Sequence, residues 1–316
     1  MRTEELQATC RAVMDEVSKA IVGKREVLER VMMAILCNGH VLFEDYPGLA
    51  KTLTANCFAQ ATGCAFKRVQ FTPDLLPADI TGTYILDRQS GAFKLRQGPV
   101  FANMLLADEI NRAPPKTQSA LLEAMQERQV TLEGETMRLP RPFIVLATQN
   151  PIEYEGTYPL PEAQIDRFLI RTNVGYPSRE EEQEILRRRR ERGREEVTMS
   201  KVCSPERIVE MQEHVERMHV QDVIEDYIVR IISATREHSQ VEVGASPRGS
   251  LALMRLSSAR AALLGRDFVL PDDVKEVAVP ALAHRLILAA DPWIRGVKPQ
   301  SVVESVLKDV AVPKVV

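Results

Sequence analysis

The chain has 316 residues, a length that suits about two domains of about 150 residues each. Hydrophobic residues make up 45% and charged residues 27%, an ordinary globular composition that excludes a largely disordered, collagen-like or coiled-coil chain. The 41 basic and 44 acidic side chains give a formal charge of −3, so no overall positive field is present to hold a polyanion non-specifically.

The cysteines show neither a paired CxxC spacing nor a nearby histidine at zinc-binding distance. We therefore expect buried free thiols at Cys10, Cys37, Cys57, Cys64 and Cys203. The N-terminal segment lacks the apolar core of a signal peptide, and no apolar run approaches the roughly 18 residues that span a bilayer. The expected location is cytoplasmic.

From residue 40 to residue 175 the sequence alternates between strand and helix patterns. Several of its apolar runs are almost continuously hydrophobic, as buried parallel strands are. The predicted strands are 40–45, 66–71, 103–108, 142–150 and 168–174. Helical spacing of apolar residues predicts helices over Lys51–Thr62 and Pro115–Glu127. These elements predict a three-layer α/β domain over residues 1–177.

Two short hairpins interrupt that alternation, at residues 83–96 and 130–139. After Pro177 the strand signal stops, and a charged helix over 178–196 is predicted to have a solvated face, although its run of arginines could also form a basic patch. Further helices are predicted at 205–219, 222–238, 247–264, 271–284 and 299–312. They would form a smaller all-α domain over residues 178–316.

The segment 44–56 follows a predicted strand and opens a helix, the context that a phosphate-binding loop requires. Such a loop needs main-chain N–H groups facing the phosphates, a lysine for the β- and γ-phosphates and a hydroxyl for Mg²⁺. Gly48, Lys51 and Thr52 supply these parts. Asp45 and Ala50 stand where the strict pattern has glycine, so the loop alone also fits an ordinary strand–turn–helix. Asp45 is tolerable if it takes a left-handed conformation, but its charge would lie near the phosphates.

Two adjacent carboxylates, Asp108 and Glu109, end the third predicted strand. Charged carboxylates at the end of a buried strand cost free energy unless a metal ion, a hydrogen-bond donor or a reacting group interacts with them. Asp108 is a candidate for the metal shell, and Glu109 for activating the attacking water. An acidic helix N-cap pair is the alternative interpretation.

Three more polar residues complete the candidate site. Asn150 ends the next strand and could hold the attacking water, or could simply form a turn before Pro151. Arg167 lies at the start of the last strand, too far along the sheet for its own nucleotide, so it is a candidate finger for a neighbouring subunit; an ion pair with Asp166 is the alternative. Arg248 opens a helix of the second domain and could reach the γ-phosphate across the cleft, or could be an ordinary exposed arginine.

These motifs together resemble the MoxR family of AAA+ ATPases. The resemblance rests on PGLAKT, the run GPVFANMLLADEINRAPPKTQSALLEAMQERQVTLEG, ATQNP, LPEAQIDRF and GASPRGS. It is strong from about Ile21 to Arg171 and looser through the helical domain. It implies an AAA+ P-loop fold with a five-stranded parallel sheet and a helical lid. It also implies a helix-2 insert at about 73–98, a pre-sensor-1 hairpin at about 129–140 and a ring, usually hexameric.

The resemblance also assigns roles to residues of this sequence. Lys51 and Thr52 match Walker A, Asp108 and Glu109 match Walker B, Asn150 matches sensor 1, Arg167 the arginine finger and Arg248 sensor 2. Thr52 and Asp108 would hold Mg²⁺. ATP would contact Ile21, Val22 and Gly23 near its adenine, Arg248, and the loop residues Pro47, Gly48, Leu49, Ala50, Lys51, Thr52 and Leu53.

The resemblance implies Mg²⁺-dependent ATP hydrolysis in a homo-oligomeric ring that matures or activates a protein client, often with a von Willebrand factor A domain partner. A nucleic-acid motor is one alternative, since the first hairpin is basic, although it has few aromatic residues for stacking on bases. A scaffold that binds ATP but barely hydrolyses it is the other. The complete set of Glu109, Asn150 and Arg167 argues against the scaffold.

Overall fold

Eleven strands are present in the computed structural model of the chain, which describes residues 1–151, 156–194 and 196–314. In chain order they are β1 (Val41–Glu44), β2 (Phe66–Gln70), β3 (Gly82–Leu86), β4 (Phe93–Gln97), β5 (Met104–Asp108), β6 (Gln129–Leu132), β7 (Glu135–Arg138), β8 (Ile144–Gln149), β9 (Ile170–Thr172), β10 (Val241–Val243) and β11 (Ile287–Leu288).

Thirteen α-helices surround and extend the strands within the same described residues. They are α1 (Thr3–Val17), α2 (Arg25–Leu36), α3 (Lys51–Thr62), α4 (Pro77–Thr81), α5 (Pro115–Glu127), α6 (Glu162–Ile165), α7 (Arg179–Arg192), α8 (Pro205–Glu216), α9 (Asp222–Glu237), α10 (Pro247–Leu263), α11 (Pro271–Leu282), α12 (Ala290–Ile294) and α13 (Pro299–Asp309). Short 3₁₀ turns occupy Pro99–Phe101, Ile110–Arg112 and Ala283–Arg285.

The central sheet contains the five predicted strands, all parallel, in the order β2-β5-β8-β1-β9. Its interior strands β5, β8 and β1 are almost wholly buried, because both faces are covered and their sequences are continuously apolar. The predicted five-stranded parallel sheet of an AAA+ fold is therefore confirmed. Since the strands are parallel, every residue that follows a strand lies at one edge of the sheet and every residue that precedes one lies at the other.

Both predicted hairpins are present. Strands β3 and β4 pair antiparallel with Gly82 opposite Gln97, and β6 and β7 pair with Leu132 opposite Glu135. The second hairpin closes through Glu133 and Gly134, both with positive φ, as a two-residue turn requires.

The lid is helical, as predicted, with one addition. Strands β10 and β11 form a small antiparallel ribbon, and the helix α12 follows it. The charged helix α7 buries no residue and pairs Glu184 with Arg187 and Arg188, which confirms a solvated face. Glu195, inside the predicted range of this helix, lies outside the described residues.

The hydrophobic core lies in two clusters, one on each face of the sheet. One cluster includes Phe71, Leu122 and Phe143 and is covered by α5. The other joins the opposite face of the sheet to α1, α2 and the lid helices. The core is thus continuous across residue 177, and the division into domains at that residue stays a prediction.

The cysteines at all five positions are free, as expected, and four of them are buried, whereas Cys203 is only half-buried. Among the described residues no helix combines the length and apolarity needed to cross a membrane.

Candidate nucleotide site

The predicted phosphate-binding loop connects β1 to the first turn of α3. Two of its residues hold left-handed backbone conformations, Gly48 with φ +83° and Ala50 with φ +56°. The loop closes around the Lys51 ammonium, which donates to the main-chain oxygens of Asp45 at 2.7 Å and Tyr46 at 3.0 Å. Burial lowers the pKa of Lys51, and the carboxylates of Asp45, Asp108 and Glu109 oppose that shift.

Asp45 has a different role from the expected one. Its φ is not positive, so the expectation that it takes a left-handed conformation is wrong. Instead its carboxylate accepts hydrogen bonds from the main-chain N–H groups of Val174, Gly175 (2.9 Å) and Tyr46 (3.2 Å). Asp45 therefore ties the start of the loop to the segment that follows β9, and these N–H donors compensate its charge.

The two carboxylates at the end of β5 are held by side chains of the neighbouring strands. Asp108 accepts from Arg68 at 2.7 Å and from the Thr148 hydroxyl at 2.6 Å. Arg68 lies on β2 and Thr148 on β8, the two strands that flank β5. The Asp108 carboxylate is therefore fixed from both sides.

Glu109 has a left-handed backbone, with φ 54° and ψ 52°. For a residue other than glycine this conformation costs on the order of 1 kcal/mol and often marks a functional position. Its side chain accepts from Gln70 at 2.6 Å and Arg112 at 3.0 Å, and its N–H donates to Thr148 at 2.7 Å. These bonds orient the carboxylate at the mouth of the cleft.

The cleft between the loop and the strand ends has a volume of about 410 Å³. The structure brings most of the predicted site residues to it. Its lining comprises Asp45, Pro47, Gly48, Leu49, Ala50, Lys51, Thr52, Leu53, Arg68, Gln70, Asp108, Glu109, Thr148 and Asn150.

Sequence reasoning missed Arg68, Gln70, Arg112 and Thr148. Arg68 and Gln70 are two positions apart and so share one face of β2. Two polar side chains on one face near the end of a predicted strand were the available signal. The sequence does not show which strand lies beside β2, so the acidic partners of Arg68 and Gln70 could not be predicted.

Ile21, Val22 and Gly23 form the bend between α1 and α2 and do not line the phosphate cleft. Gly23 has φ +65°, and a Cβ at this position would lie 1.8 Å from the Glu181 carboxylate. Lys24 donates to the main-chain oxygen of Tyr176 at 2.7 Å. The bend therefore packs against the segment that Asp45 anchors, beside the loop.

Arg167 and Arg248 lie together, away from the phosphate cleft. Arg248 is 3.5 Å from the Asp166 carboxylate and lines a second cavity of about 430 Å³ with Arg167 and Arg285. The expectation that Arg248 reaches across the cleft of its own chain is therefore not met. The physical reason is that the start of α10 docks on Asp166, where Ser246 lies 3.4 Å from the carboxylate.

The alternative interpretation of Arg167 as the ion-pair partner of Asp166 is also not met, because Asp166 pairs with Arg248 and Arg285. Within the described residues, the half-buried Arg167 side chain makes no hydrogen bond or ion pair. Arg167 precedes β9, so it lies at the edge of the sheet opposite the phosphate cleft.

Comparison with known proteins agrees with this geometry. Residues 40–170 match the ATPase family associated with various cellular activities (AAA), and residues 233–306 match an AAA lid domain. The chain is 48% identical to Chaperone MoxR1 of Mycobacterium tuberculosis, over 95% of this chain and 81% of that protein. It is 32% identical to Protein MoxR of Methylorubrum extorquens, over 86% of both chains.

A crystal structure of a candidate ATPase from Cytophaga hutchinsonii superposes with a TM-score of 0.93 at 41% identity, covering 99% of this chain and 97% of that one. Sequence and fold agree over nearly the whole length. The chain belongs to the MoxR family of AAA+ ATPases.

Proposed function

We propose that this protein hydrolyses ATP in a Mg²⁺-dependent reaction and uses it for chaperone-like remodelling of a protein client. The observation that carries the proposal is the phosphate cleft, where Lys51 and Thr52 lie opposite Asp108, Glu109 and Asn150. A cation, a hydroxyl, two carboxylates and an amide around one cleft are the groups that phosphoryl transfer to water requires.

The loop supplies the binding of the triphosphate. The first residues of α3 line the cleft, and the N-terminus of a helix, with its main-chain N–H groups lacking intrahelical partners, favours negative charge there. The Lys51 ammonium, now held by two main-chain oxygens, is the cation for the β- and γ-phosphates. Since carbonyl oxygens hold it in the loop, it is pre-positioned before the nucleotide arrives.

Thr52 and Asp108 are the candidates for holding Mg²⁺. Both line the cleft, and hydroxyl and carboxylate oxygens are the ligand types that this ion prefers. When bound, Mg²⁺ would neutralise charge on the phosphate oxygens. Arg68 and Thr148 would keep the Asp108 carboxylate in place.

Glu109 is the proposed general base. Gln70 and Arg112 orient its carboxylate, while Asn150 at the end of β8 would hold the attacking water. The water would lose a proton to Glu109 as its oxygen attacks the γ-phosphate, and ADP would leave.

The position of Arg167 supports a ring. Because Arg167 lies at the sheet edge opposite its own phosphate cleft, its guanidinium would serve the nucleotide of a neighbouring copy. Arg248, which lines the same cavity, would face that neighbour as well. A hexamer is the proposed assembly, by analogy with AAA+ relatives.

A protein client fits the hairpins better than a nucleic acid does. The β3–β4 hairpin exposes Ile85, Leu86 and Phe93, with Phe93 71% exposed and paired across the strands with Leu86. One of its basic residues, Lys94, is already paired with Asp87. An exposed apolar tip is typical of a protein-binding surface. A partner with a von Willebrand factor A domain remains part of the proposal.

Turnover measurements with purified protein test the proposal. We expect ATP binding and Mg²⁺-dependent phosphate release, loss of both activities in Lys51→Ala, and stimulation by a protein client. Failure of the wild-type protein to bind or cleave ATP at high concentration would overturn the proposal. Stimulation by DNA that weakens steeply with salt would support the nucleic-acid motor instead. Tight ATP binding with almost no turnover would support the scaffold.

A further inference from the structure

A single lid arginine holds the segment that carries Arg167. Arg285 is almost fully buried, with 4% of its side chain exposed. Its Nε donates to the Asp166 carboxylate at 2.8 Å, and its Nη2 donates to the main-chain oxygens of Asp166 at 3.2 Å and Phe168 at 2.8 Å. Its Nη1 reaches the main-chain oxygen of Leu169 at 3.4 Å. One guanidinium therefore fixes the backbone on both sides of Arg167.

The same carboxylate also holds the start of α10. The second oxygen of Asp166 lies 3.5 Å from Arg248 Nη1 and 3.4 Å from the Ser246 hydroxyl. Asp166 therefore connects three pieces of the chain, namely the Arg167 segment, the helix that begins with Arg248, and the 3₁₀ turn that ends at Arg285.

Burying a guanidinium is costly, so this arrangement needs a reason. Burial lowers the pKa of Arg285 to about 10, with Asp166 opposing the shift, and the charge is retained at neutral pH. Replacing such a pair by apolar residues is often neutral or stabilising, so stability alone does not explain it. A need to fix the position of the adjacent Arg167 explains the buried pair, because the Arg167 side chain has no partner of its own among the described residues.

We propose that Asp166 and Arg285 are positioning residues that present Arg167 and Arg248 as one rigid unit to the nucleotide of the neighbouring subunit. The inference rests on the proposed function and adds a specific coupling to it. Because Arg285 belongs to the lid while Asp166 and Leu169 precede β9 of the central sheet, displacement of the lid would disturb these contacts and with them the placement of Arg167. Turnover in one subunit would then depend on the lid position of the next.

The test uses Asp166→Asn and Arg285→Met in the full-length protein. Both variants retain an intact phosphate cleft, so we expect wild-type ATP affinity with kcat lowered at least tenfold and KM unchanged. Arg217→Met is the matched control, because the side chain of this lid arginine is 81% exposed and, among the residues that the structure describes, pairs with Glu213 at a distance of 3.9 Å. This control should keep wild-type turnover.

Mixed assemblies separate a positioning role from a general folding defect. A Lys51→Ala subunit has no phosphate site but keeps the contacts of Asp166 with Arg285 and Arg248, here called the clamp, whereas an Asp166→Asn subunit has a phosphate site and a weakened clamp. Mixing them should restore turnover at sites where an Asp166→Asn nucleotide faces a Lys51→Ala neighbour. If Arg285→Met does not fold, Asp166→Asn, which keeps an oxygen acceptor, carries the test alone.

The outcomes distinguish the two proposals. Wild-type kcat in Asp166→Asn, or no recovery in mixtures that co-assemble, would overturn the clamp while leaving the ATPase assignment intact. Full turnover in Arg167→Ala would overturn the finger assignment together with the clamp.

Discussion

Ala50 occupies a conformation that glycine adopts more easily. Its φ of +56° and ψ of +20° are left-handed, and the Cβ raises the energy of that conformation by about 1–2 kcal/mol. We predict that Ala50→Gly raises the free energy of unfolding by up to about 1 kcal/mol, partly offset by the greater freedom of glycine in the unfolded chain. Urea unfolding measures this difference.

The matched control is Ala120→Gly in the interior of α5. Ala120 has ordinary helical geometry, so glycine there should lower the free energy of unfolding by about 0.5–1 kcal/mol. Equal destabilisation by both substitutions would contradict the strain assigned to Ala50.

Glu109→Gln separates nucleotide binding from turnover. The amide keeps an oxygen to accept from Gln70 and Arg112, but it cannot take a proton from water. We predict nearly unchanged ATP affinity and a kcat lowered about 10²- to 10⁴-fold. Phosphate release and fluorescent-nucleotide binding measure the two quantities, with the exposed Glu127→Gln as control. Equal loss of binding would argue that Glu109 is structural.

At the scale of elements, Asp45 links the loop before α3 to the segment after β9. Asp45→Ala removes the acceptor of the Val174, Gly175 and Tyr46 N–H groups, so we predict a loss of about 1–3 kcal/mol in the free energy of unfolding and weaker ATP binding. Asp45→Asn keeps one acceptor oxygen and should lose less.

The change in ATP affinity has the opposite sign if the Asp45 charge repels the phosphates. In that case Asp45→Asn would bind ATP more tightly than the wild type. Calorimetric titration of ATP into both variants decides between these two effects. Tighter binding by Asp45→Asn would show that charge repulsion outweighs the anchoring bonds.

The regular elements were largely predictable from the sequence because local patterns determine them. Helix α3 and helix α5 have their predicted bounds, and the central strands differ from prediction only at their ends. The helices α1 and α2 were not predicted, although helical spacing was present in the sequence, for example in the buried residues Leu6, Cys10, Val13 and Val17 of α1. The ribbon of β10 and β11 has strands of three and two residues, too short to give a period.

The site was predictable only where its residues lie close in the sequence to a strand end. The loop residues and the acidic pair met this condition, and they line one cleft. The location of Arg248 was not predictable in this way. It depends on docking of the lid through Asp166 and Arg285, which are 119 positions apart. No local pattern reports a contact of that range.

At the scale of the whole molecule, two buried histidines connect distant parts of the fold. The ring of His40 accepts from Val145 N–H at 2.9 Å and lies 3.1 Å from the Met125 oxygen, while the ring of His284 lies 3.1 Å from the Phe168 oxygen. Burial holds the pKa of both rings well below the usual value, with Arg128 and Arg285 adding to the effect. Both are therefore neutral in the folded protein at neutral pH.

This burial predicts acid sensitivity. The unfolded chain takes up a proton on each ring below about pH 6.5, whereas the folded chain does so only at lower pH. The free energy of unfolding should therefore fall with decreasing pH, by about 1.4 kcal/mol per histidine per pH unit, until the folded pKa is reached. Urea unfolding at pH 7.5 and pH 5.5 measures the slope. His284→Gln should reduce it, and an unchanged slope in that variant would contradict the prediction.

The separation of Arg167 from the phosphate cleft predicts that ATPase activity depends on assembly. The phosphate cleft and Arg167 lie at opposite edges of the sheet, so under the proposed function a single copy would carry the parts of one active site on two separate surfaces. We predict that the specific ATPase activity of the wild type rises with protein concentration, while Arg167→Ala stays at the activity of the monomer, about 10³-fold or more lower. Its ATP affinity at low concentration should match that of the wild type. Arg189→Ala, an exposed arginine of α7, is the control and should follow the wild-type curve. A specific activity that is independent of concentration over the range in which light scattering detects assembly would show that each copy completes its own site.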